Sequence, residues 1–272
     1  MEKNRWIIVG IIIIGLIGFL VWRNMAGSET TTDETSPSPT NSMMLDGEGE
    51  YNVETSDVSY FEETTGFYAK PTQDGQYPGV VMIHEWWGLN DNIKDMARQL
   101  ASKGYRVLAV DLYNGQTATD ANEARRLTSS LDQEVALENL KSAVDYLQTE
   151  GSEKVASLGW CFGGGQSLQL SLSEVDLDAT VIYYGNLVND EGLLANIKWP
   201  VLGIFGDQDQ SIPVSDVNEF EEALNSVGVE NEIYIYPGVG HAFANPSGAN
   251  YAPDETQDAW VKTTAFLDNN LK

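Results

Sequence analysis

A single cysteine occurs in the 272 residues, and glycine brackets it on both sides: Gly159-Trp160-Cys161-Phe162-Gly163, behind an apolar run at 155–158 and ahead of Gly164 and Gly165. Small residues two before and two after a nucleophile let the backbone turn sharply from strand into helix, which lifts the reactive atom above a sheet. A helix that starts at Phe162 or Gly163 aims unpaired N–H groups and its positive dipole end at the sulfur, favouring thiolate over thiol. This bracket predicts a nucleophile where such elbows usually carry serine; the plainer reading is a buried structural cysteine beside a glycine-rich turn.

Two loops supply partners for that sulfur. The strand-like run 201–205 leads into Gly206-Asp207-Gln208-Asp209-Gln210-Ser211-Ile212-Pro213, and 232–236 leads into Pro237-Gly238-Val239-Gly240-His241. Nucleophile, acid and histidine in that chain order fit the α/β-hydrolase plan. In that plan His241 takes the thiol proton and later activates water, while Asp209 fixes the imidazole tautomer and stabilises the imidazolium. Asp207 competes for the acid role and could also be a plain turn former; Asp209 is preferred because loops of this shape place the acid before the Ile-Pro step. A third loop, His84-Glu85-Trp86-Trp87-Gly88-Leu89-Asn90, stands where one oxyanion donor is expected. The backbone N–H groups of Trp86 and Phe162 are therefore the candidate oxyanion hole.

The elements that must hold these loops alternate. An N-terminal hairpin is expected over 51–61 and 66–69, with strands at 79–84, 106–110, 155–160, 179–184, 201–205 and 232–236. Helical patterns cover 91–103, 121–130, 134–149, the segment after the elbow, 214–227 and 256–271. Short apolar strands spaced by amphipathic helices predict an α/β fold, a mainly parallel sheet with helices on both faces. Reactive groups then gather at the carboxyl ends of the strands.

Composition narrows the partners. Fifteen Lys and Arg against 41 Asp and Glu give a formal net charge of −26, which repels phosphate backbones and argues against nucleic-acid binding. Residues 6–22 form an uncharged apolar run with Trp6 and Trp22 at its ends, a predicted transmembrane helix within an anchor at 1–26. Lys3 and Arg5 precede the run and Arg23 follows it, which puts the N-terminus in the cytoplasm and the rest of the chain on the extracytoplasmic side of the cell membrane. Secretion after signal cleavage is the alternative, although Asn24-Met25-Ala26 is a poor cleavage site. Residues 27–50, rich in Ser, Thr, Pro and acidic groups, read as a disordered linker to a domain at 51–272.

Five motifs then carry a family resemblance: His-Glu-Trp-Trp-Gly-Leu at 84–89, Val-Asp-Leu-Tyr at 110–113, Gly-Trp-Cys-Phe-Gly-Gly at 159–164, Asp-Gln-Ser-Ile-Pro at 209–213 and Gly-His-Ala-Phe at 240–243. Residues 51–272 resemble the dienelactone hydrolases (carboxymethylenebutenolidases). The resemblance implies a Cys161–His241–Asp209 triad that cleaves a small-molecule ester or lactone without metal or cofactor. It also implies that Glu85 lies near the cysteine and helps to form the thiolate; a carboxylate satisfied by backbone N–H groups is the plainer reading. Trp87 and Tyr113, with Arg125, are candidates for the substrate pocket. The chain departs from the family at Asn245, four residues after the histidine, where relatives hold the substrate carboxylate with arginine, so dienelactone itself is not the expected substrate. A general extracytoplasmic esterase or thioesterase, or an inactive tethered binding module, are the rival functions.

Overall fold

The computed structural model of the protein describes residues 49–173 and 175–272. The apolar run 6–22 and the linker up to residue 48 lie outside the described residues. Among the described residues, no helix is long and apolar enough to cross a membrane.

Eight strands form one sheet: β1 (Val53–Phe61), β2 (Thr64–Pro71), β3 (Gly79–Ile83), β4 (Arg106–Val110), β5 (Val155–Trp160), β6 (Ala179–Tyr183), β7 (Val201–Gly206) and β8 (Asn231–Tyr236). Their spatial order is β1-β2-β4-β3-β5-β6-β7-β8. The hairpin β1–β2 joins β4 antiparallel, and all remaining pairs are parallel. Every residue of β3, β5, β6 and β7 is buried. Their near-continuous apolar sequences follow from that, since each strand must satisfy a core on both faces.

The helices are α1 (Asp91–Ser102), α2 (Ala121–Ser129), α3 (Gln133–Thr149), α4 (Phe162–Ser171), α5 (Glu191–Leu194), α6 (Val214–Val227) and α7 (Pro253–Leu271). One core contains Ile93, Met96 and Leu100 of α1 with Trp260, Phe266 and Leu267 of α7, packed on Val80, Met82 and Leu158. The opposite core contains Leu140 and Leu147 of α3, Leu168 of α4 and Phe220 of α6 with Val81, Ile83 and Phe205. Alternate residues of one strand thus feed opposite cores, as the pleat requires. The short α5 had no signal in the sequence, because four residues are too few for a helical period to show.

Helices start where the site loops end. Asn90 accepts the Ile93 N–H at 3.2 Å, Asp120 accepts Asn122 and Glu123 at 2.7 and 3.0 Å, and Asp132 accepts Glu134 and Val135 at 3.0 and 3.3 Å. Each such cap stabilises its helix by about 1 kcal/mol and sets the point at which the preceding loop must finish.

Beneath the elbow, α4 is tied to the sheet by buried hydroxyls. Ser167 donates to Ser157 at 2.8 Å, Ser171 and Thr180 share a 2.6 Å hydrogen bond, and the Trp199 indole N–H donates to Thr180 at 2.9 Å. Buried hydroxyls satisfied in this way fix one placement of the helix, because sliding it would leave several of them unpaired.

Candidate active site

Strand register sets which loops meet. Ile83 pairs with Gly159 and Trp160 with Tyr183, so Glu85 and Cys161 leave adjacent strands at the same level, with Tyr184 beside them. Cys161 adopts φ 54° and ψ −116°, a conformation that costs an L-residue roughly 1–3 kcal/mol. Its N–H donates to the Tyr183 carbonyl at 2.9 Å and its carbonyl accepts from Gly165 at 3.1 Å, so the strained residue is held from both sides.

The glycines around it are there for close approach. A Cβ on Gly159 would lie 2.1 Å from the Gly163 carbonyl oxygen, and one on Gly163 would lie 2.3 Å from that of Ile83. Gly185 does the same work from the next strand, where a Cβ would lie 2.3 Å from the Gly165 nitrogen. Nothing in the local sequence singles out Gly185, because its need arises from a helix that starts 23 positions earlier.

His241 Nε2 lies 3.1 Å from Cys161 Sγ, and its Nδ1 lies 2.8 Å from Asp209 Oδ2. The other Asp209 oxygen accepts the N–H groups of Ser211 and Ile212 at 2.8 and 3.0 Å. Although burial opposes ionisation of Asp209, the His241 contact and these N–H groups outweigh it and hold the carboxyl below its ordinary range. Burial also opposes charge on His241, yet hydrogen bonds to Asp209 and Cys161 push its pKa up to about 10. Asp207 is exposed and accepts from Gly238 at 2.7 Å, which pins the turn that delivers His241. Asn250 donates to the His241 carbonyl at 2.9 Å, and the Tyr184 ring meets the imidazole edge-on at 5.3 Å.

Glu85 is 3% exposed and takes a hydrogen bond from the Asn245 amide. The Asn245 carbonyl oxygen accepts both the N–H and the O–H of Ser247, at 2.9 and 2.7 Å, which turns the NH2 end toward Glu85. Burial raises the Glu85 carboxyl to about 7, against the smaller pull of His241 and Asn245. His84 is fully buried: its Nε2 accepts from Leu112 N–H at 3.1 Å, so its Nδ1 carries the proton donated to the Glu85 carbonyl at 2.6 Å. Burial lowers the His84 pKa, consistent with a neutral imidazole bracing the loop.

Among the described residues, neither the Trp86 nor the Phe162 backbone N–H has an acceptor. Trp86 and Trp87 are half-buried and meet edge-on at 5.0 Å, and Trp87 accepts from Ala118 at 2.9 Å. The Tyr113 ring lies 5.7 Å from Phe162 and its hydroxyl 3.0 Å from that of Thr128; burial pushes its pKa up to about 12. Arg125 is exposed on α2 and donates to Asn122 of the same helix at 3.3 Å, with no contact to the sulfur relay. Among the described residues, no group of three or more His, Cys, Asp or Glu side chains is placed to hold a metal ion.

Burial of Glu85 makes a stability prediction. Its carboxyl is near 7 in the fold and 4.5 when free, so the unfolded chain binds fewer protons between those values and stability falls as pH rises through them. The loss is complete above pH 7 and amounts to about 3 kcal/mol. Glu85→Gln, which keeps an oxygen for Asn245, is expected to stabilise the protein by up to that amount at about pH 8 relative to its effect at about pH 4. Urea unfolding at the two pH values checks this; an equal effect at both would remove the buried-acid account.

The arrangement is a sulfur, an imidazole and a carboxylate in series, with two free N–H donors and a buried acid beside them. Residues 64–271 match the family model described as "Dienelactone hydrolase family". The chain is 31% identical over 227 residues to the "Putative carboxymethylenebutenolidase" of Saccharolobus solfataricus, covering 69% of this chain and 88% of that one. It is 33% identical over 219 residues to "Protein usf" of Aquifex pyrophilus, covering 76% and 93% of the two chains. Among solved structures, the "Putative Dienelactone Hydrolase" of Klebsiella pneumoniae superposes with a TM-score of 0.74 at 26% identity, over 80% of this chain and 99% of that one. With the family model spanning most of the chain and a solved structure superposing over 80% of it, this protein belongs to the dienelactone hydrolase family, within the α/β-hydrolase superfamily.

Proposed function

We propose that the protein hydrolyses carboxylic ester or lactone bonds of a small molecule through a cysteine acyl-enzyme. The observation that carries this reading is the unbroken relay from Cys161 Sγ to His241 at 3.1 Å and on to Asp209 at 2.8 Å. The sulfur attacks the carbonyl carbon, an S–C bond forms, and the oxyanion rests on the N–H groups of Trp86 and Phe162. The C–O bond then breaks and the leaving oxygen takes the proton that His241 received from the thiol. In the second half His241 removes a proton from water, the hydroxide attacks the thioester carbonyl, and the C–S bond breaks to release the acid. Glu85 follows β3 at the level where Cys161 follows β5 and is held by the Asn245 amide, and its role in this reading is to assist the thiol when substrate arrives.

A panel of p-nitrophenyl esters, lactones and acyl thioesters tests the reaction class. Turnover of esters or lactones with burst release of one alcohol per active site is expected. Turnover confined to thioesters would move the assignment to a thioesterase, and no turnover would leave a binding module. The same proposal anchors the chain by residues 6–22 with the hydrolase domain outside the cell. Retention of the full chain in alkali-washed membranes, with protease access from the outer side, is expected; release by the alkali wash would sink the anchor.

A further inference from the structure

We propose that this site selects uncharged or cationic substrates and discriminates against carboxylate-bearing ones, an inference that rests on the acyl-transfer reading above. The parallel strands end level with one another, so the loops that follow them form the rim through which any substrate reaches Cys161. Those loops cover residues 84–90, 111–120, 184–190, 207–213 and 237–252, together with Cys161 itself. They contain no Lys or Arg, yet carry Glu85, Asp111, Asp120, Asp190, Asp207 and Asp209. The hairpin turn adds Glu62 and Glu63 at the same end, where Thr64 donates to Asn114 at 3.1 Å.

Cations border the rim from helices rather than from its loops, and Arg125 donates to Asn122 of its own helix at 3.3 Å. Arg126 donates to the Gln116 side chain at 3.2 Å, and the Lys94 ammonium lies 5.6 Å from the centre of the Phe67 ring. In the His241 loop the position nearest Glu85 is Asn245, whose amide is oriented by Ser247 and already donates to that acid. A carboxylate on the acyl group therefore meets loops of net negative formal charge that offer no guanidinium or ammonium of their own to pair with it. An uncharged acyl chain loses nothing there, and a cationic one is drawn in.

Three esters of matched size test this on the full chain: p-nitrophenyl adipate, p-nitrophenyl adipamate and p-nitrophenyl 6-(trimethylammonio)hexanoate. At about 20 mM salt, kcat/KM for the amide is expected to exceed that for the carboxylate by roughly tenfold or more, with the ammonium ester at or above the amide. At ~1 M salt, where screening falls to about 3 Å and silences distant surface charge, a gap of roughly threefold or more is expected to remain. A carboxylate ester turned over as well as its amide overturns the inference while the hydrolase reading stands. So does an ammonium ester as poor as the carboxylate, or a gap that vanishes at high salt, which would assign selection to net charge rather than to the rim. Failure to turn over all three overturns the acyl-transfer reading itself and takes this inference with it.

Discussion

Cys161→Ala and His241→Ala are each expected to lower kcat/KM by about 10^4 or more, and the double variant by no more than either alone. Sulfur and imidazole act as a unit across 3.1 Å, so once one is missing the other has nothing to activate or to be activated by. Asp209→Asn is the more informative change. One carboxylate oxygen of Asp209 is committed to the N–H groups of Ser211 and Ile212, and the other faces His241 Nδ1. An asparagine at 209 must keep its single oxygen on the two backbone donors, which turns its NH2 toward Nδ1. That nitrogen must then accept, so the imidazole proton moves to Nε2 and the face toward sulfur can no longer take a proton. A loss of about 10^3–10^4 in kcat with little change in KM is expected from this tautomer swap alone. Steady-state kinetics on a p-nitrophenyl ester measures it. Asp209→Asn retaining more than a tenth of wild-type kcat, or Asp207→Asn causing the larger loss, would show that the carboxylate on His241 has been misassigned.

The second large effect concerns folding. Gly163→Ala is expected to destabilise the protein by about 4 kcal/mol or more, enough to remove most folded protein at 37 °C. The added Cβ would lie 2.3 Å from the Ile83 carbonyl oxygen and 2.5 Å from that of His84, both rigid backbone. Relief requires α4 to lift away from β3, breaking the hydroxyl ties at Ser167 and Ser171. Gly165→Ala, two positions along the same helix, is the control. Its Cβ would meet nothing closer than the Asn186 nitrogen at 3.4 Å, an ordinary contact. Alanine gains about 1 kcal/mol of helix propensity over glycine there, so a neutral or stabilising effect is expected. Thermal unfolding of the two variants side by side decides the matter, and equal stability for both would refute the close-packing account of the elbow.

The three consecutive glycines show where sequence reading stops. Gly159 and Gly163 were legible, because a symmetric bracket around a nucleophile is a local pattern with a local cause. That Gly164 also packs tightly, with a Cβ 2.6 Å from the Tyr183 carbonyl, while Gly165 does not, depends on the position of β6. The same division holds at the relay. Cys161, Asp209 and His241 could be named because each follows an apolar strand in a short loop, and the order of the loops along the chain fits one plan. Glu85 could be named only through resemblance. Its partner Asn245 lies 160 residues away, and nothing in either local sequence states that a locked amide turns toward a buried acid.

By itself, the sequence determined the alternation of strands and helices, the sharp turn at Cys161, the loops that end the strands and the sign of the charge around them. These follow from periodicity, glycine's missing Cβ and formal charge, which are properties of neighbouring residues. Only the tertiary structure decided which aspartate meets His241, that His84 is a neutral brace, that Arg125 points along its own helix and that Glu85 is buried beside Asn245. Those outcomes depend on strand register and on burial, and neither exists until residues far apart in the chain are packed against one another.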